Sequence, residues 1–173
     1  MRLHLIPFYR GQREAKRLVR MAESVASWSV CDRKHVGAAV FRADWNEMVS
    51  SGYNYIPDMV FSQIGIQPTA CDHCSLVCPR AAGVSRKDDY SDCPAVHAEV
   101  AALNALSDID RMYANELIMA VTAPPCRQCA ELIAMEKSIG LVIWKRTEGV
   151  DDHVPDPSEI LRDKWTYEMR SRK

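Results

Sequence analysis

Three residues of this chain, His97, Cys126 and Cys129, have the types and spacing to hold a transition metal, and a carboxylate, Glu99, lies two positions beyond the histidine. The cysteines are three apart in Pro125-Cys-Arg-Gln-Cys129, a segment expected to open a helix at Pro124-Pro125, so both thiols project from one face of its first turn. The positive end of the helix dipole favours thiolates there, the form that binds Zn2+. One imidazole and two thiolates make three protein ligands and leave the fourth tetrahedral position for water, the mark of a catalytic rather than a structural zinc site. Glu99 reads as an acid/base beside the metal and not as a ligand, because side chains two apart on a regular helix point away from each other. Each part alone has a commoner explanation: a lone histidine at a helix start is usually a cap or a core residue, and a lone Cys-x-x-Cys is often redox-active or structural. Their conjunction points to catalytic zinc.

The elements that must carry these residues follow from hydrophobic periodicity. From Gln12 to Ser29, Ala15, Leu18, Val19, Ala22, Val25 and Ala26 recur at intervals of three and four, one buried helical stripe. Val36 to Phe41 and Met48 to Tyr53 read as the strands of a hairpin around a polar turn. Pro94 is expected to open the helix bearing His97 and Glu99, which continues through Val100, Ala101, Leu103 and Leu106. Leu117 to Val121 is an apolar strand. The helix with Cys126 and Cys129 follows it and is expected to end at Gly140, before a further strand at Leu141 to Trp144. Strand, helix and strand in that order imply parallel pairing with a right-handed crossover. Ser158 is read as the cap of a final helix with Ile160, Leu161 and Trp165 on one side. The expected fold is α/β, in layers, with a mixed sheet.

The chain's 173 residues suit one domain with a single core, expected to span 1–173 with a Cys-rich insertion at about 55–93. A hydrophobic fraction of 47% with 26% charged residues is ordinary for a soluble globular protein. The net charge of −1 argues against a general electrostatic grip on a nucleic-acid backbone, so no nucleic-acid partner is expected. No apolar run approaches the roughly 20 residues that cross a bilayer, and the N-terminal apolar patch is too short and polar for a secretory signal, so a cytoplasmic protein without a membrane partner is expected. The 7 cysteines are clustered, which in a reducing compartment favours metal binding over disulfides. Tyr55 to Cys93 has weak periodicity, Pro57, Pro68 and Pro79, and needs an organiser. Cys71, Cys74, Cys78 and Cys93 could supply one as a closed, all-cysteine zinc site, with His73 as a further candidate ligand.

The pair His-x-Glu and Pro-Cys-x-x-Cys is a known signature of zinc nucleobase deaminases. Around it, Ser29-Val-Cys-Asp-Arg-Lys-His-Val-Gly-Ala-Ala-Val40, Ser51-Gly-Tyr-Asn54, Cys93-Pro-Ala-Val-His-Ala-Glu99 and Pro125-Cys-Arg-Gln-Cys-Ala130 resemble, in order and spacing, the deoxycytidylate (dCMP) deaminase family over about residues 15 to 146. The resemblance implies a cytidine-deaminase-like three-layer α/β/α sandwich. It implies zinc at His97, Cys126 and Cys129, proton transfer by Glu99, Asn54 hydrogen-bonding the pyrimidine or its sugar, and the backbone around Val96 and Pro125 holding the base. It also implies a small-molecule nucleotide substrate and a homo-oligomer, a dimer or a hexamer. Some members carry a structural zinc beside the active site, and Cys31 falls where those relatives can have a ligand. The chain departs from the family pattern at Ala101, where Asn is common, at Tyr55, where Gly is common, and at Trp144, where a Tyr is common. The function expected is zinc-dependent hydrolysis of dCMP to dUMP and ammonia. The alternatives are deamination of another pyrimidine, whether nucleoside, triphosphate or 5-substituted cytosine nucleotide, and a non-catalytic zinc-binding interaction module.

Overall fold

The computed structural model describes residues 8–31, 34–43, 47–63, 94–148 and 156–171. The chain opens with helix α1 (Phe8–Ala26), then the strands β1 (Gly37–Arg42) and β2 (Met48–Tyr53) and a short helix α2 (Asp58–Gln63). Helices α3 (Ala98–Asn104) and α4 (Asp108–Arg111) lead into β3 (Leu117–Val121), α5 (Arg127–Met135), β4 (Ile139–Thr147) and β5 (Trp165–Ser171). The five strands form one sheet in the order β2-β1-β3-β4-β5. The β1–β2 and β1–β3 pairs are antiparallel and the β3–β4 and β4–β5 pairs parallel, so the sheet is mixed, as expected.

Period-two alternation sorts the central strands into two faces. Ala39, Phe41, Ile118, Ala120 and Ile143 face α1, which offers Ala15, Leu18, Val19 and Ala22. Ala38, Val40, Met119, Val121, Val142 and Trp144 face α3 and α5, which offer Ala98, Ala102, Leu103, Ala130 and Ile133. Helices on both faces of a sheet make the three-layer arrangement. The layers also set the distance of α3 from β2: a methyl group on Gly52 would meet the Ala102 nitrogen at 2.4 Å and the Ala98 carbonyl at 2.6 Å. Ser50 on the same face donates to the Ala102 carbonyl at 2.9 Å.

Several expected boundaries move: α1 ends at Ala26 and not Ser29, and α5 begins at Arg127 and not at Pro124-Pro125. Pro94 does not open a helix: Val96 pairs with Tyr55 as an isolated antiparallel bridge, which keeps it extended, and α3 begins only at Ala98. Gly140 does not end α5, which stops at Met135; it is the second residue of β4, where a Cβ would lie 2.4 Å from the Asn115 carbonyl oxygen. The expected final helix is absent from residues 156–171. Asp156, not Ser158, caps a single 3-10 turn at Pro157–Glu159, its side chain accepting from the Ser158 N–H, and the chain then runs out as β5. The spacing of Ile160, Leu161 and Trp165 mimics a helical stripe, whereas Tyr167 and Met169, which pack on the α1 side, alternate with Thr166, Glu168 and Arg170 as a strand requires. Among the described residues no helix is long and apolar enough to cross a membrane.

Candidate metal centre and active site

The site is built at the starts of α3 and α5. His97 is the N-cap of α3 (φ −73°, ψ 151°) and Cys126 the N-cap of α5 (φ −67°, ψ 167°), both in extended backbone. An N-cap side chain ordinarily folds over the N2 and N3 amides to accept a hydrogen bond. Neither His97 nor Cys126 does so, and both side chains are left for another partner. The same geometry brings the Cys126 thiol over the third residue of α5, Cys129. The ligands therefore do not all ride on helices, as the sequence spacing suggested. Two N-caps and one N3 residue converge.

The His97 Nδ1 lies 3.4 Å from the Cys126 Sγ and 3.3 Å from the Cys129 Sγ, and the three donor atoms lie within 4.8 Å of one another. Zinc bonds of the usual lengths to one nitrogen and one sulfur in a tetrahedron put those atoms about 3.5 Å apart, so the spacing suits one shared ion. The protonation pattern agrees. The Cys126 thiol is drawn down to about 4, first by its hydrogen bond with Cys129 and then by His97, while that same hydrogen bond and burial push Cys129 up. His97 is raised through its hydrogen bond with Cys126. Cys126, the ligand whose proton is held least, is thus the one most readily presented to a cation as a thiolate.

Glu99 is the second residue of α3 and only 4% exposed. Because His97 stands outside the helix, the expected divergence of the two side chains does not arise, and the Glu99 carboxylate interacts with both His97 and the Cys129 thiol. Burial, the largest influence on it, pushes its proton affinity above the ordinary carboxylate range.

The neighbouring backbone extends the sheet into the site. The Asn54 N–H donates to the Val36 carbonyl at 3.2 Å, and Tyr55 and Val96 exchange two backbone hydrogen bonds at 3.2 and 2.8 Å, which seats the residue just before His97. Asn54 is buried; its Oδ1 accepts from the Val36 N–H at 2.8 Å and its Nδ2 donates to the Lys34 carbonyl at 2.9 Å. Ser29 Oγ donates to the Asn54 carbonyl at 2.9 Å and accepts from the Cys31 N–H at 3.2 Å. Pro125 is buried beside Cys126. Sequence reasoning missed the Tyr55–Val96 bridge and the Ser29 clamp, since nothing in the linear order pairs those positions.

The three departures from the family pattern also find places. The Ala101 methyl would lie 2.6 Å from a Cβ on Gly52, so position 101 abuts β2. The Tyr55 ring stands edge-on to Tyr53, centroids 6.0 Å apart, and Tyr53 edge-on to Trp28 at 6.2 Å. Trp144 is 2% exposed, and its indole N–H donates to the Glu168 carboxylate at 3.0 Å. Cys71, His73, Cys74, Cys78 and Cys93 lie outside the described residues; among the described residues one cluster of three or more metal-ligating side chains is present, the one above.

The cytidine and deoxycytidylate deaminase zinc-binding region matches residues 12–145. The chain belongs to this family. Membership makes it a zinc-binding deaminase, with the metal cluster of α3 and α5 inside the matched span. Deoxycytidylate deaminase of Mycobacterium phage D29 is 34% identical to it over 120 residues, 66% of this chain and 80% of that protein. Among solved structures, dCMP deaminase of cyanophage S-TIM5 in complex with dCMP and dUMP superposes with a TM-score of 0.59 at 19% identity, covering 96% of this chain and 100% of the other. A Thermotoga maritima diaminohydroxyphosphoribosylaminopyrimidine deaminase/reductase gives 0.55 at 16% identity over 91% of this chain and 37% of that one. At such identities these structures share the fold: a mixed sheet with helices on both faces.

Proposed function

We propose that this deaminase converts dCMP to dUMP and ammonia, with His97, Cys126 and Cys129 holding the metal and Glu99 carrying the protons. The observation that supports the chemistry is the convergence of three metal donors with one buried carboxylate that interacts with two of them. The substrate rests on the two phage relatives, one named for deoxycytidylate and one solved with dCMP and dUMP. A zinc ion held by the three ligands would supply the Lewis acidity that brings the pKa of a water to near neutrality. Glu99 takes one proton from the attacking water and delivers it to ring N3 as the water oxygen bonds to C4, then takes the proton left on that oxygen and gives it to the amine, which leaves as ammonia when the C4–N bond breaks.

Around the base, Asn54 has one amide N–H and one carbonyl lone pair beyond those it spends on residues 34–36, and these are what it can offer the pyrimidine or sugar. The Val96 N–H donates to Tyr55 and Pro125 has none, so the backbone at both positions can only accept, Val96 through the carbonyl lone pair it does not spend on the Tyr55 N–H. Two acceptors suit the exocyclic amine of cytosine. Ammonia release from dCMP, deoxycytidine, dCTP and 5-substituted cytosine nucleotides tests the reading. The kcat/KM for dCMP should exceed that for deoxycytidine at least about tenfold, since one charge-assisted hydrogen bond to phosphate is worth about 1.5–3 kcal/mol. Equal values would defeat the nucleotide assignment and leave the deaminase standing.

We also propose a second, structural zinc on Cys71, Cys74, Cys78 and Cys93, with Cys31 or His73 as substitutes, and a homo-oligomeric protein. A closed site contributes folding energy where an open one contributes chemistry. Metal analysis should find about two zinc ions per chain, and Cys74→Ser should lower the melting temperature more than the rate per folded molecule. One zinc in a stable, fully active preparation would remove the second site.

A further inference from the structure

The catalytic ends of α3 and α5 face each other, and their opposite ends are joined by a single side chain. Arg111, the last residue of α4, donates one guanidinium N–H to the Leu103 carbonyl in the last turn of α3 and another to the carboxylate of Glu136, the C-cap of α5. Glu136 is itself fixed. Its second oxygen accepts from the Ser138 hydroxyl at 2.9 Å and from the Ser138 N–H at 3.3 Å, and its main-chain carbonyl accepts from Lys164 Nζ at 2.8 Å. Ser138 is fully buried, and its carbonyl accepts from the Leu117 N–H at the start of β3. Arg111 is anchored in turn, because α4 is capped by Ser107, and Asp110 on α4 meets Arg42 of β1 at 3.1 Å.

We infer that Arg111 is a positioning residue for the metal centre: by tying Leu103 to Glu136 at the rear of α3 and α5, it sets the separation of His97 from Cys126 and Cys129 at the front. The inference rests on the metal-site reading above. α3 and α5 have 7 and 9 residues, so each is a rod of only about 10–14 Å at 1.5 Å per residue. A tilt at one end of a rod that short is delivered almost whole to the other. The ligand geometry tolerates little of it: a misplacement of about 1 Å can cost on the order of 10²-fold in rate. Outer partners that orient ligands are worth about 10–100-fold in metal affinity. A guanidinium is suited to the task because its donors sit in a rigid planar fork that fixes the two acceptors relative to each other, whereas a lysine carries its three donors on one flexible tip.

The test compares parent, Arg111→Met and Arg111→Lys by zinc competition with a chromophoric chelator well below the melting temperature, and by kcat and KM on each loaded enzyme. Cys129→Ala identifies which zinc belongs to this site. Ile143→Val, in the core on the α1 side, serves as a control of lowered stability with the latch intact. Arg111→Met should bind the site's zinc about tenfold or more weakly and lose kcat with little change in KM, with Arg111→Lys in between and Ile143→Val at parent values. Zinc affinity and kcat for Arg111→Met that match the control would reduce Arg111 to a contributor to stability and overturn the inference. A parent that binds no zinc sensitive to Cys129→Ala overturns the metal-site reading along with it. Should Arg111→Met fail to fold, Glu136→Gln, which keeps shape and an acceptor but removes the charge, reads the same quantities against the same control.

Discussion

Glu99 lies in the first turn of α3, in reach of two of the metal ligands. It is buried, faces His97 and the Cys129 thiol, and holds its proton more tightly than an exposed glutamate because burial penalises the charged form. A carboxyl whose proton affinity is raised in this way is better suited to take up and pass on a proton than an exposed one. Glu99→Gln, which preserves volume and removes only the exchangeable proton, should retain the zinc and lose about 10²–10⁴-fold in kcat. Zinc content and rate read on the same sample decide it, and a rate within a few-fold of the parent would sink the assignment. Asn54 behaves differently. Half of its hydrogen-bonding capacity is spent on holding Lys34 and Val36, so its loss should disturb the segment as well as any substrate contact.

At the scale of the element, the position of α3 is decided by what β2 lacks. Gly52 leaves the room in which the α3 backbone lies, and a methyl group there would press on main-chain atoms of Ala98 and Ala102, which cannot move aside as a side-chain tip could. Overpacking of this kind costs about 1–3 kcal/mol. Gly52→Ala should therefore lower the melting temperature by several degrees, and because α3 carries His97 and Glu99 it should also weaken zinc retention. A variant as stable as the parent would show that α3 can shift freely. Short elements are also where linear reading went astray. The Ile160, Leu161 and Trp165 stripe passed for a helix because helical and strand periods overlap over so few residues, and parallel pairing with β4 settled the matter for residues 165–171.

At the scale of the whole molecule, the last strand is fastened by charge. Burial opposes ionisation of Glu168 on β5, but donors from Arg146 at 2.7 Å, Trp144 at 3.0 Å and Arg170 at 2.8 Å outweigh it and hold the carboxyl below its ordinary range. A folded pKa below the unfolded one means that the native state binds fewer protons, so the contribution is present above pH 4.5 and fades as pH falls through the lower folded value. The gap in melting temperature between parent and Glu168→Gln should therefore be widest near pH 7 and close below pH 4.5. Thermal scans at matched ionic strength measure it, and a gap independent of pH would show that Glu168 acts through packing alone.

The sequence by itself determined the chemistry and the layers. His97, Cys126 and Cys129 announce themselves because a metal site demands particular atoms at helix starts, and residue type and local spacing both survive in linear order. The α1 stripe, the hairpin and the β3-α5-β4 unit were legible for a related reason, since burial on one face imposes a period. Tertiary structure decided the rest. His97 and Glu99 converge because Val96 is held extended by Tyr55, forty-one positions earlier, and Gly140 serves close approach to Asn115 rather than helix termination. Trp144 became a buried donor to Glu168 because β5 lies beside β4. Contacts between residues far apart in sequence leave no local period or spacing to read, and only packing of the sheet and its helices creates them.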